Sequence, residues 1–219
     1  STIKRVTFIH DLTPVLFPKF HNRQSAILQR VFLPSILKRA DLVLCNSKYS
    51  KQDVLKHYPQ CREVEYLYPG TSKIFYPDKE PINLKGIQLP AEYILSVGTL
   101  EPRKNLKTLI KAFDEIKHKG WSGKLVLTGE PGWKKHLWEN SIEKSAFQKD
   151  ILRTGFVDTS ALRKLYSQCR VFVYPSIYEG FGLPVMEALQ CGARIICSNS
   201  SSLPEVGGSF ASYFDPYKS

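Results

Sequence analysis

Tyr93-Ile-Leu-Ser-Val97-Gly98 is a short apolar run that stops at a glycine, and a similar run follows at Lys124-Leu-Val-Leu-Thr128-Gly129. Between the two runs, apolar residues recur at intervals of three and four along residues 104–117, at Leu106, Leu109, Ile110, Phe113 and Ile116. This spacing places them on one face of a helix. A strand, a helix and a second strand in this order form a right-handed crossover between parallel strands. The stretch therefore predicts a doubly wound α/β sheet.

The alternation of strands and helices continues toward the C-terminus. Further strands are predicted at 151–157, 170–174 and 193–197. Further helices are predicted at 133–147, from a cap at Asp158 or Ser160 to Cys169, and at 183–189. We therefore expect one parallel-sheet domain at 91–219.

The first third of the chain repeats this pattern more loosely. Strands are predicted at 6–10, 42–45 and 63–67, and helices at 26–39, interrupted at Pro34, and at 50–58. Residues 74–90 contain three prolines and show no periodicity, which predicts a linker. Two or three strands are too few for a self-sufficient doubly wound domain. We therefore expect residues 1–73 to be the end of an incomplete domain that a missing N-terminal segment or a partner chain completes.

Composition limits the classes of protein that the sequence can encode. The chain has 219 residues, 42 % of them hydrophobic, and a formal charge of +11 from 31 Lys+Arg against 20 Asp+Glu. This hydrophobic fraction can fill a core, which excludes a disordered chain. No apolar run reaches the roughly 18–20 residues of a membrane-spanning helix. The positive charge is concentrated in residues 1–73, where 12 basic residues face 5 acidic ones, and it suggests an anionic partner.

The cysteines and the first ten residues indicate the cellular compartment of the protein. The five cysteines are scattered and form no CxxC pair, so we interpret them as buried apolar residues of a reducing compartment. The charged, strand-like run at residues 1–10 does not resemble a secretory signal peptide. The sequence predicts a cytoplasmic protein, with peripheral contact at the anionic inner face of a membrane.

An acidic, glycine-containing loop follows the predicted strand at 170–174. It reads Tyr178-Glu179-Gly-Phe-Gly-Leu-Pro-Val-Met-Glu187. The glycines permit a close approach of the backbone to a ligand, and Pro184 suits the first turn of a helix whose free amides bind anions. Glu187 is expected in that first turn and Glu179 in the loop, from where the two carboxylates reach different parts of one ligand. Alternatively, Glu187 offsets the helix dipole and Glu179 is solvated.

A cationic loop follows the strand at 93–97. It reads Gly98-Thr-Leu-Glu-Pro-Arg103-Lys104-Asn105 and leads into the helix predicted at 104–117. Cations are unfavourable at a helix N-terminus unless an anion lies between them and the dipole. A diphosphate would supply that anion, with bidentate bonds from Arg103 and a point charge from Lys104. In isolation, however, an Arg-Lys pair is usually a solvated surface feature.

These motifs resemble those of the retaining glycosyltransferases of family 4. Glu179-Gly-Phe-Gly-Leu-Pro-Val-Met-Glu187 is similar to the family's E-x7-E signature. The loop at 98–105, Gly155-Phe-Val157 and Ser202-Leu-Pro-Glu-Val206 follow in the family's order, and Phe8-Ile-His10-Asp11 resembles the strand end before its acceptor cleft. The family's N-terminal glycine-rich loop has no counterpart in this sequence. The resemblance implies a GT-B architecture, in which two Rossmann-like domains enclose the active site.

The resemblance also implies a role for each matching residue. Arg103 and Lys104 would hold the diphosphate of a UDP-sugar or GDP-sugar, in the loop that Gly98 opens. Glu187 would bind the ribose and Glu179 the transferred sugar. The remaining residues implied at the site are His10, which would contact the donor sugar, Phe156 and Val157, which would border the base, and Phe181, Gly182 and Leu183, whose amides would face sugar and phosphate.

The expected reaction is a metal-independent transfer of the sugar, with retention, to a glycan or lipid-linked acceptor. Fixed cations and helix N-termini would stabilise the departing diphosphate, and the sequence has no DxD pair for a metal and needs no further cofactor. No side chain stands out as a nucleophile, so we expect Glu179 to position the sugar. Base, sugar and acceptor are not specified by the sequence.

The sequence also leaves alternative functions open. A truncated module that binds nucleotide-sugar without turnover is the principal alternative, because the glycine-rich loop is missing. His10, a lone histidine beside Asp11, is by default a surface residue. Nucleic-acid binding has no support beyond charge, and no G-x-G-x-x-G follows a strand, which argues against a nicotinamide enzyme.

Overall fold

The computed structural model describes residues 4–84 and 87–218, with the side chain of Ser25 left aside. Residues 1–3, 85–86 and 219 of the predicted domains and linker lie outside this description. The elements follow in the order β1 Val6–Ile9, α1 Thr13–Leu16, α2 Arg23–Arg39, β2 Leu42–Cys45, α3 Lys48–His57, β3 Val64–Tyr66, β4 Tyr93–Val97, α4 Leu106–His118, β5 Lys124–Thr128, α5 His136–Glu143, β6 Ile151–Gly155, α6 Thr159–Gln168, β7 Val171–Tyr174, α7 Leu183–Gln190, β8 Ile195–Ser198, α8 Leu203–Gly207 and β9 Ala211–Phe214.

The strands form two parallel sheets, which confirms the predicted α/β class. The first sheet has the order β1-β2-β3, and the second has the order β6-β5-β4-β7-β8-β9. In the second sheet the chain runs outward from β4 to β6 and then returns to the other side of β4. Ligands of such sheets bind beyond the strand ends where the order reverses. The loops after β4 and β7 therefore flank the expected ligand crevice.

Apolar residues cover both faces of the second sheet. Tyr93 and Leu95 of β4 pack in one buried cluster, with Phe172 and Tyr174 of β7. Ile94, which lies between them in the sequence, packs in the cluster on the opposite face. Because successive strand residues point to opposite faces, a strand buried on both sides is an unbroken apolar run. This is the pattern seen at residues 93–97.

Two predicted helices differ from the structure. The helix predicted at 104–117 begins only at Leu106, because Pro102–Lys104 form a 3₁₀ turn and Asn105 adopts the left-handed region at φ 54°. The two cations therefore precede the α-helix instead of occupying its first turn. The helix predicted at 133–147 is shorter, spanning His136–Glu143. Asp158, one of the two caps considered, accepts a hydrogen bond from the amide of Ala161 at 2.8 Å.

The predicted interruption of α2 at Pro34 is wrong. The helix runs through Pro34 from Arg23 to Arg39. Proline removes one backbone hydrogen bond from a helix interior, to the carbonyl four residues earlier. That carbonyl belongs to the exposed Arg30, where water can bond it, while Leu37 is fully buried and holds the second half of the helix against the sheet.

Residues 74–84 contain no helix and no strand, and they are anchored to α6. Arg163 binds the carboxylate of Asp78 at 2.7 Å, and both side chains are largely buried. Gln168 donates to the carbonyls of Asp78 and Glu80 at 3.2 and 2.8 Å. This part of the connection is therefore packed on the second sheet's helical layer.

Arg163→Ala tests this anchor. Removing Arg163 leaves the carboxylate of Asp78 without its ion-pair partner, and we expect a loss in the free energy of unfolding that is clearly larger than in the control variant. Urea unfolding followed by circular dichroism measures it. Arg170→Ala is the matched control, because Arg170 is exposed, and it should change stability by no more than about 0.5 kcal/mol. Equal losses in both variants would contradict the anchor.

Candidate active site

Glu179 is shared between the two cations of the 98–105 loop. Its Oε2 lies 2.6 Å from Nη1 of Arg103, and its Oε1 lies 2.7 Å from Nζ of Lys104. The three residues come from loops that follow β4 and β7, which are neighbours in the sheet. The structure thus brings together the acidic and cationic loops that the sequence analysis singled out.

This charge cluster is buried. Glu179 is 7 % exposed and Lys104 9 % exposed. Burial alone would raise the pKa of Glu179, but the attraction of Lys104 and Arg103 exceeds that effect and lowers the pKa to about 2. Glu179 is therefore ionised throughout the neutral range, and the solvated alternative for this residue is wrong.

Arg103 has further partners that fix its orientation. Its Nε and Nη2 donate to Oε1 of Glu101 at 2.9 and 2.6 Å, and its Nη1 donates to the carbonyl of Tyr178 at 2.7 Å. Burial disfavours the charged guanidinium, but Glu179 and Glu101 outweigh it and raise the pKa of Arg103 above its usual range. The arginine is a permanent, preoriented cation.

Lys104 is enclosed by the ends of β4 and β7. Its ammonium donates to the hydroxyl of Tyr174 at 2.5 Å and lies 4.7 Å from the centre of the same ring. Gly98 closes β4, and its amide donates to the carbonyl of Thr128 at 2.9 Å. Burial lowers the pKa of Lys104, and the attraction of Glu179 acts in the opposite direction. Unlike the ammonium of a solvated lysine, that of Lys104 is fixed at one position at the sheet edge.

The loop that carries Glu179 lies against the first sheet at Gly180. A Cβ on Gly180 would come within 2.0 Å of the carbonyl oxygen of His10, so only glycine fits there. The carbonyl of Gly180 accepts hydrogen bonds from the hydroxyls of Ser47 and Ser50 at 2.6 and 3.1 Å. Gly180 therefore joins the carboxyl ends of the two sheets.

The backbone before α7 has the geometry of an anion site. Gly182 precedes the helix with φ 103°, a conformation that favours glycine, and Pro184 lies in its first turn. Phe181 is buried, and its carbonyl accepts a hydrogen bond from Ser202 at 2.8 Å, whereas Leu183 is 43 % exposed. Gly182 has no side chain that could bond the first amides of this helix, and the helix start carries no side-chain capping bond.

Glu187 does not lie in the first turn of α7, contrary to the expectation. The helix begins at Leu183, one residue before Pro184, which places Glu187 in the second turn. Its carboxylate accepts a hydrogen bond from the hydroxyl of Tyr166 at 3.0 Å. Burial raises the pKa of Glu187, and the bond from Tyr166 acts in the opposite direction. It contacts neither cation and has no dipole to offset at this position.

The remaining predicted residues lie around this cluster. Phe156 is 77 % exposed, and its amide donates to Glu130 at 3.0 Å, while Val157 packs on the buried cluster that contains Leu95. His10 is exposed, and its ring lies 4.9 Å from that of Phe8. Its backbone, not its side chain, makes the contact with Gly180.

A family model described as glycosyl transferases group 1 matches residues 79–216, which is more than half of the chain. The chain belongs to this family. The matched segment contains the whole second sheet together with Arg103, Lys104 and Glu179. The predicted glycosyltransferase membership is confirmed at the level of this group.

Two relatives of this group 1 chain align with nearly its whole length. The O-antigen chain mannosyltransferase B of Escherichia coli is 34 % identical over 97 % of the chain. The O-antigen chain mannosyltransferase RfbU of Salmonella typhimurium is 28 % identical over 95 %. The chain spans 58 % and 56 % of these two proteins, so it corresponds to little more than half of their length.

Solved structures share the fold of this group 1 chain. Sucrose-phosphate synthase from Thermosynechococcus elongatus superposes with a TM-score of 0.82 at 22 % identity, over the whole chain and 56 % of that protein. HepE of Anabaena, solved in complex with UDP and glucose, gives 0.79 at 19 % identity, over 97 % of the chain and 58 % of HepE. At these identities the likeness concerns the fold.

Sequence reasoning missed several residues of the site. Glu101 precedes a proline in the cationic loop and is 2 % exposed, yet it was not assigned a function. Ser47 and Ser202, which bond the 178–182 loop, follow strands β2 and β8, and Ser50, which bonds the same loop, lies in the first turn of α3. Their position after strand ends was the available signal, but serine is common in loops and its partners are set by tertiary contacts.

The described residues contain neither a helix that could span a membrane nor a cluster that could hold a metal ion. Across residues 4–84 and 87–218, the helices include none with the length and apolar character needed to cross a bilayer. The same residues contain no group of three or more His, Cys, Asp and Glu side chains placed to hold a metal ion.

Glu179→Gln tests the buried charge. Because the folded-state pKa is lowered from 4.5 to about 2, ionised Glu179 stabilises the fold fully above about pH 4.5, and this contribution is lost as the pH falls through 2. We expect the variant to be about 3 kcal/mol less stable at pH 7, with a smaller difference near pH 2.

Urea unfolding at a series of pH values measures the difference. Glu143→Gln, at an exposed glutamate, is the control and should follow the parent at every pH. A difference between Glu179→Gln and the parent that does not vary with pH would show that Glu179 is not held ionised by its neighbours.

Proposed function

We propose that this chain is the donor-binding part of a glycosyltransferase that moves a mannosyl group from a nucleotide-diphosphate sugar to a glycan or lipid-linked acceptor. The observation that carries the proposal is the buried Arg103–Glu179–Lys104 cluster at the point where the strand order reverses. The names of the two O-antigen mannosyltransferases support the choice of sugar and acceptor.

Arg103 and Lys104 would bind the donor diphosphate. Both cations are fixed before the ligand arrives, so no side chain has to be ordered on binding. Phosphate oxygens would take the positions now filled by the carboxylate of Glu179, with bidentate bonds from Arg103. Donors fixed in this way stabilise the charge that develops on the leaving diphosphate, by about 2.7–4 kcal/mol each.

The two glutamates would divide the rest of the donor between them. Glu179, released from one cation, would accept hydrogen bonds from hydroxyls of the transferred sugar. Glu187, eight residues further along and bonded only by Tyr166, keeps carboxylate lone pairs for the ribose hydroxyls. Phe156, with an exposed ring, and Val157 would border the base.

We further propose transfer with retention and without a metal ion. Both carboxylate oxygens of Glu179 are bonded to cations in this structure, which makes the carboxylate less nucleophilic and argues against a covalent intermediate on it. The acceptor would then attack from the face that the diphosphate leaves, and the leaving phosphate would take the acceptor proton. His10, at the end of β1 beside Gly180, would contact the donor sugar from the first sheet.

We propose that residues 1–73 and 91–219 belong to separate domains connected by 74–90, with the first on the acceptor side. Strand β1 is at the edge of its sheet, and its Val6 and Phe8 side chains are exposed beside a groove of about 630 Å³ against α2. Such an apolar edge is a packing surface for further polypeptide, from the same chain or from a partner.

This edge also favours a second candidate function. If the first domain is incomplete in this chain, acceptor binding would be lost while the second sheet still binds donor. The chain would then act as a nucleotide-sugar-binding module without turnover.

We propose peripheral contact with an anionic membrane, on the cytoplasmic side. Helix α2 has basic residues at both ends and no acidic residue, and it exposes the apolar side chains of Ile27 and Val31. Basic, amphipathic helices of this type bind anionic lipid surfaces. Binding to vesicles of stated composition, described in the next subsection, tests the contact.

Arg103→Ala tests the diphosphate site. We expect UDP or GDP to raise the melting temperature of the parent but not of the variant, because the bidentate contact is lost, while any shift with free uridine or guanosine persists. Arg194→Ala, at an exposed arginine, is the control and should respond like the parent. An equal shift in Arg103→Ala and parent would contradict the assignment.

Incubation with radiolabelled UDP- or GDP-sugars and glycan acceptors separates the transferase from the binding module. Transfer with no glycosyl adduct on Glu179 by mass spectrometry is the result expected of the proposed mechanism. Binding of the donor without transfer or hydrolysis would favour the module, and an adduct on Glu179 would overturn the positioning role.

A further inference from the structure

A second cationic cavity, of about 720 Å³, lies between the start of α2 and the loop after β5. Four of the residues that line it are cations, namely Lys19, Arg23, Arg30 and Lys134. No aspartate or glutamate lines it. A concave surface lined by charge of one sign focuses the electrostatic potential and attracts the opposite charge.

These cations are not neutralised by neighbouring carboxylates. Within residues 4–84 and 87–218, none of the four forms an ion pair. Arg30 donates to the carbonyl of Val15 at 3.1 Å, and Lys134 donates to that of Lys19. Lys19 and Arg23 are exposed at the cavity. Arg103 and Lys104, by contrast, both form ion pairs with Glu179.

Trp133 forms an aromatic wall of this cavity. Its indole N–H donates to the carbonyl of Phe20, and its ring lies 5.5 Å from that of His21. The tryptophan is nevertheless 39 % exposed. An indole fixed by its N–H and partly open to solvent is a surface on which the apolar side of a sugar ring can pack.

The cavity adjoins the proposed donor site through His21. Burial lowers the pKa of His21, and the charges of Glu101 and Arg103 both act on the ring, so it lies within electrostatic reach of the cationic loop. Its Nε2 is buried and has no hydrogen-bond partner among the described residues. His21 therefore contributes to the wall of the cavity a ring nitrogen whose hydrogen-bonding capacity is unfilled among the described residues.

We propose that this cavity binds a phosphorylated sugar, with the phosphate or diphosphate at Lys19 and Arg23 and the sugar ring on Trp133. The volume is in the range of small-molecule sites, and both required chemistries, positive charge and an aromatic surface, are present. The site is separate from the Arg103 cluster. In the context of the proposed function, it receives the phosphate-linked end of the acceptor.

Titration calorimetry with mannose 1-phosphate tests the site. We expect the parent to bind and the double variant Lys19→Ala/Arg23→Ala to bind at least about fivefold more weakly, since two charge-assisted contacts are removed. Lys107→Ala/Lys111→Ala removes the same charge from exposed positions on α4 and should bind within about twofold of the parent.

Arg103→Ala distinguishes the two sites. It should leave mannose 1-phosphate binding within about twofold of the parent, because Arg103 does not line the cavity. Lys19→Ala/Arg23→Ala should leave the UDP or GDP thermal shift similarly close to that of the parent. The proposal for the donor site and the proposal for the second cavity can therefore each be refuted without refuting the other. If only Arg103→Ala weakens mannose 1-phosphate binding, the sugar phosphate occupies the donor site and the proposal is wrong.

Trp133 fluorescence tests the aromatic contact. Mannose 1-phosphate should change the emission and inorganic diphosphate should not, and Trp133→Phe should remove the change. Three results would overturn the site: no binding of mannose 1-phosphate at millimolar concentration, equal weakening in both lysine-containing double variants, or a fluorescence change that survives in Trp133→Phe.

Vesicles separate a lipid headgroup from a sugar phosphate as the source of the anion. Phosphatidylglycerol and phosphatidylcholine vesicles are sedimented with the parent and with Lys19→Ala/Arg23→Ala. One outcome is that the double variant loses binding to the anionic vesicles while the parent does not bind mannose 1-phosphate. In that case the cavity contacts lipid headgroups and the sugar-phosphate proposal is wrong. Equal sedimentation with both vesicle types would remove the membrane contact proposed for α2.

Discussion

The placement of one carboxylate between two cations governs the geometry of this molecule's site. Glu179 reaches Arg103 and Lys104 at once, and all three are largely removed from water. Burying any one of these charges alone would be strongly unfavourable, so each depends on the others remaining in position. The loops after β4 and β7 are thereby fixed at the edge where the strand order reverses.

Fixing the acidic loop also determines how the two sheets meet. Gly180 follows Glu179 directly and lies against the backbone of His10, at a distance no side chain would allow. Its carbonyl is bonded by Ser47 and Ser50, at the start of α3. A displacement of Glu179 would therefore be transmitted to the first sheet, so that charge at the site and contact between the sheets are coupled.

The surroundings of the cations suggest a division of tasks. Arg103 and Lys104 are compensated by Glu179 in the absence of ligand, and both side chains are already oriented, so they need little reorganisation to contact a phosphate. The cations near Trp133, Lys19 and Arg23 among them, are solvated and uncompensated within the described chain, which suits capture of an anion from solution or from a surface. The proposed donor site is preorganised, whereas the second cavity attracts an anion through the electrostatic potential of its cations.

The sequence alone determined the α/β class, the strands of the first sheet, β4 to β8 of the second sheet and the convergence of the loops after β4 and β7. Periodicity and strand-end position are local properties, and parallel topology brings such strand ends to one edge. Only the tertiary structure decided that Glu179 neutralises Arg103 and Lys104, that Gly180 joins the two sheets, and that α2 continues through Pro34. Each of these depends on contacts between residues distant in sequence or on how a helix end packs, and neither is encoded in the spacing of residue types.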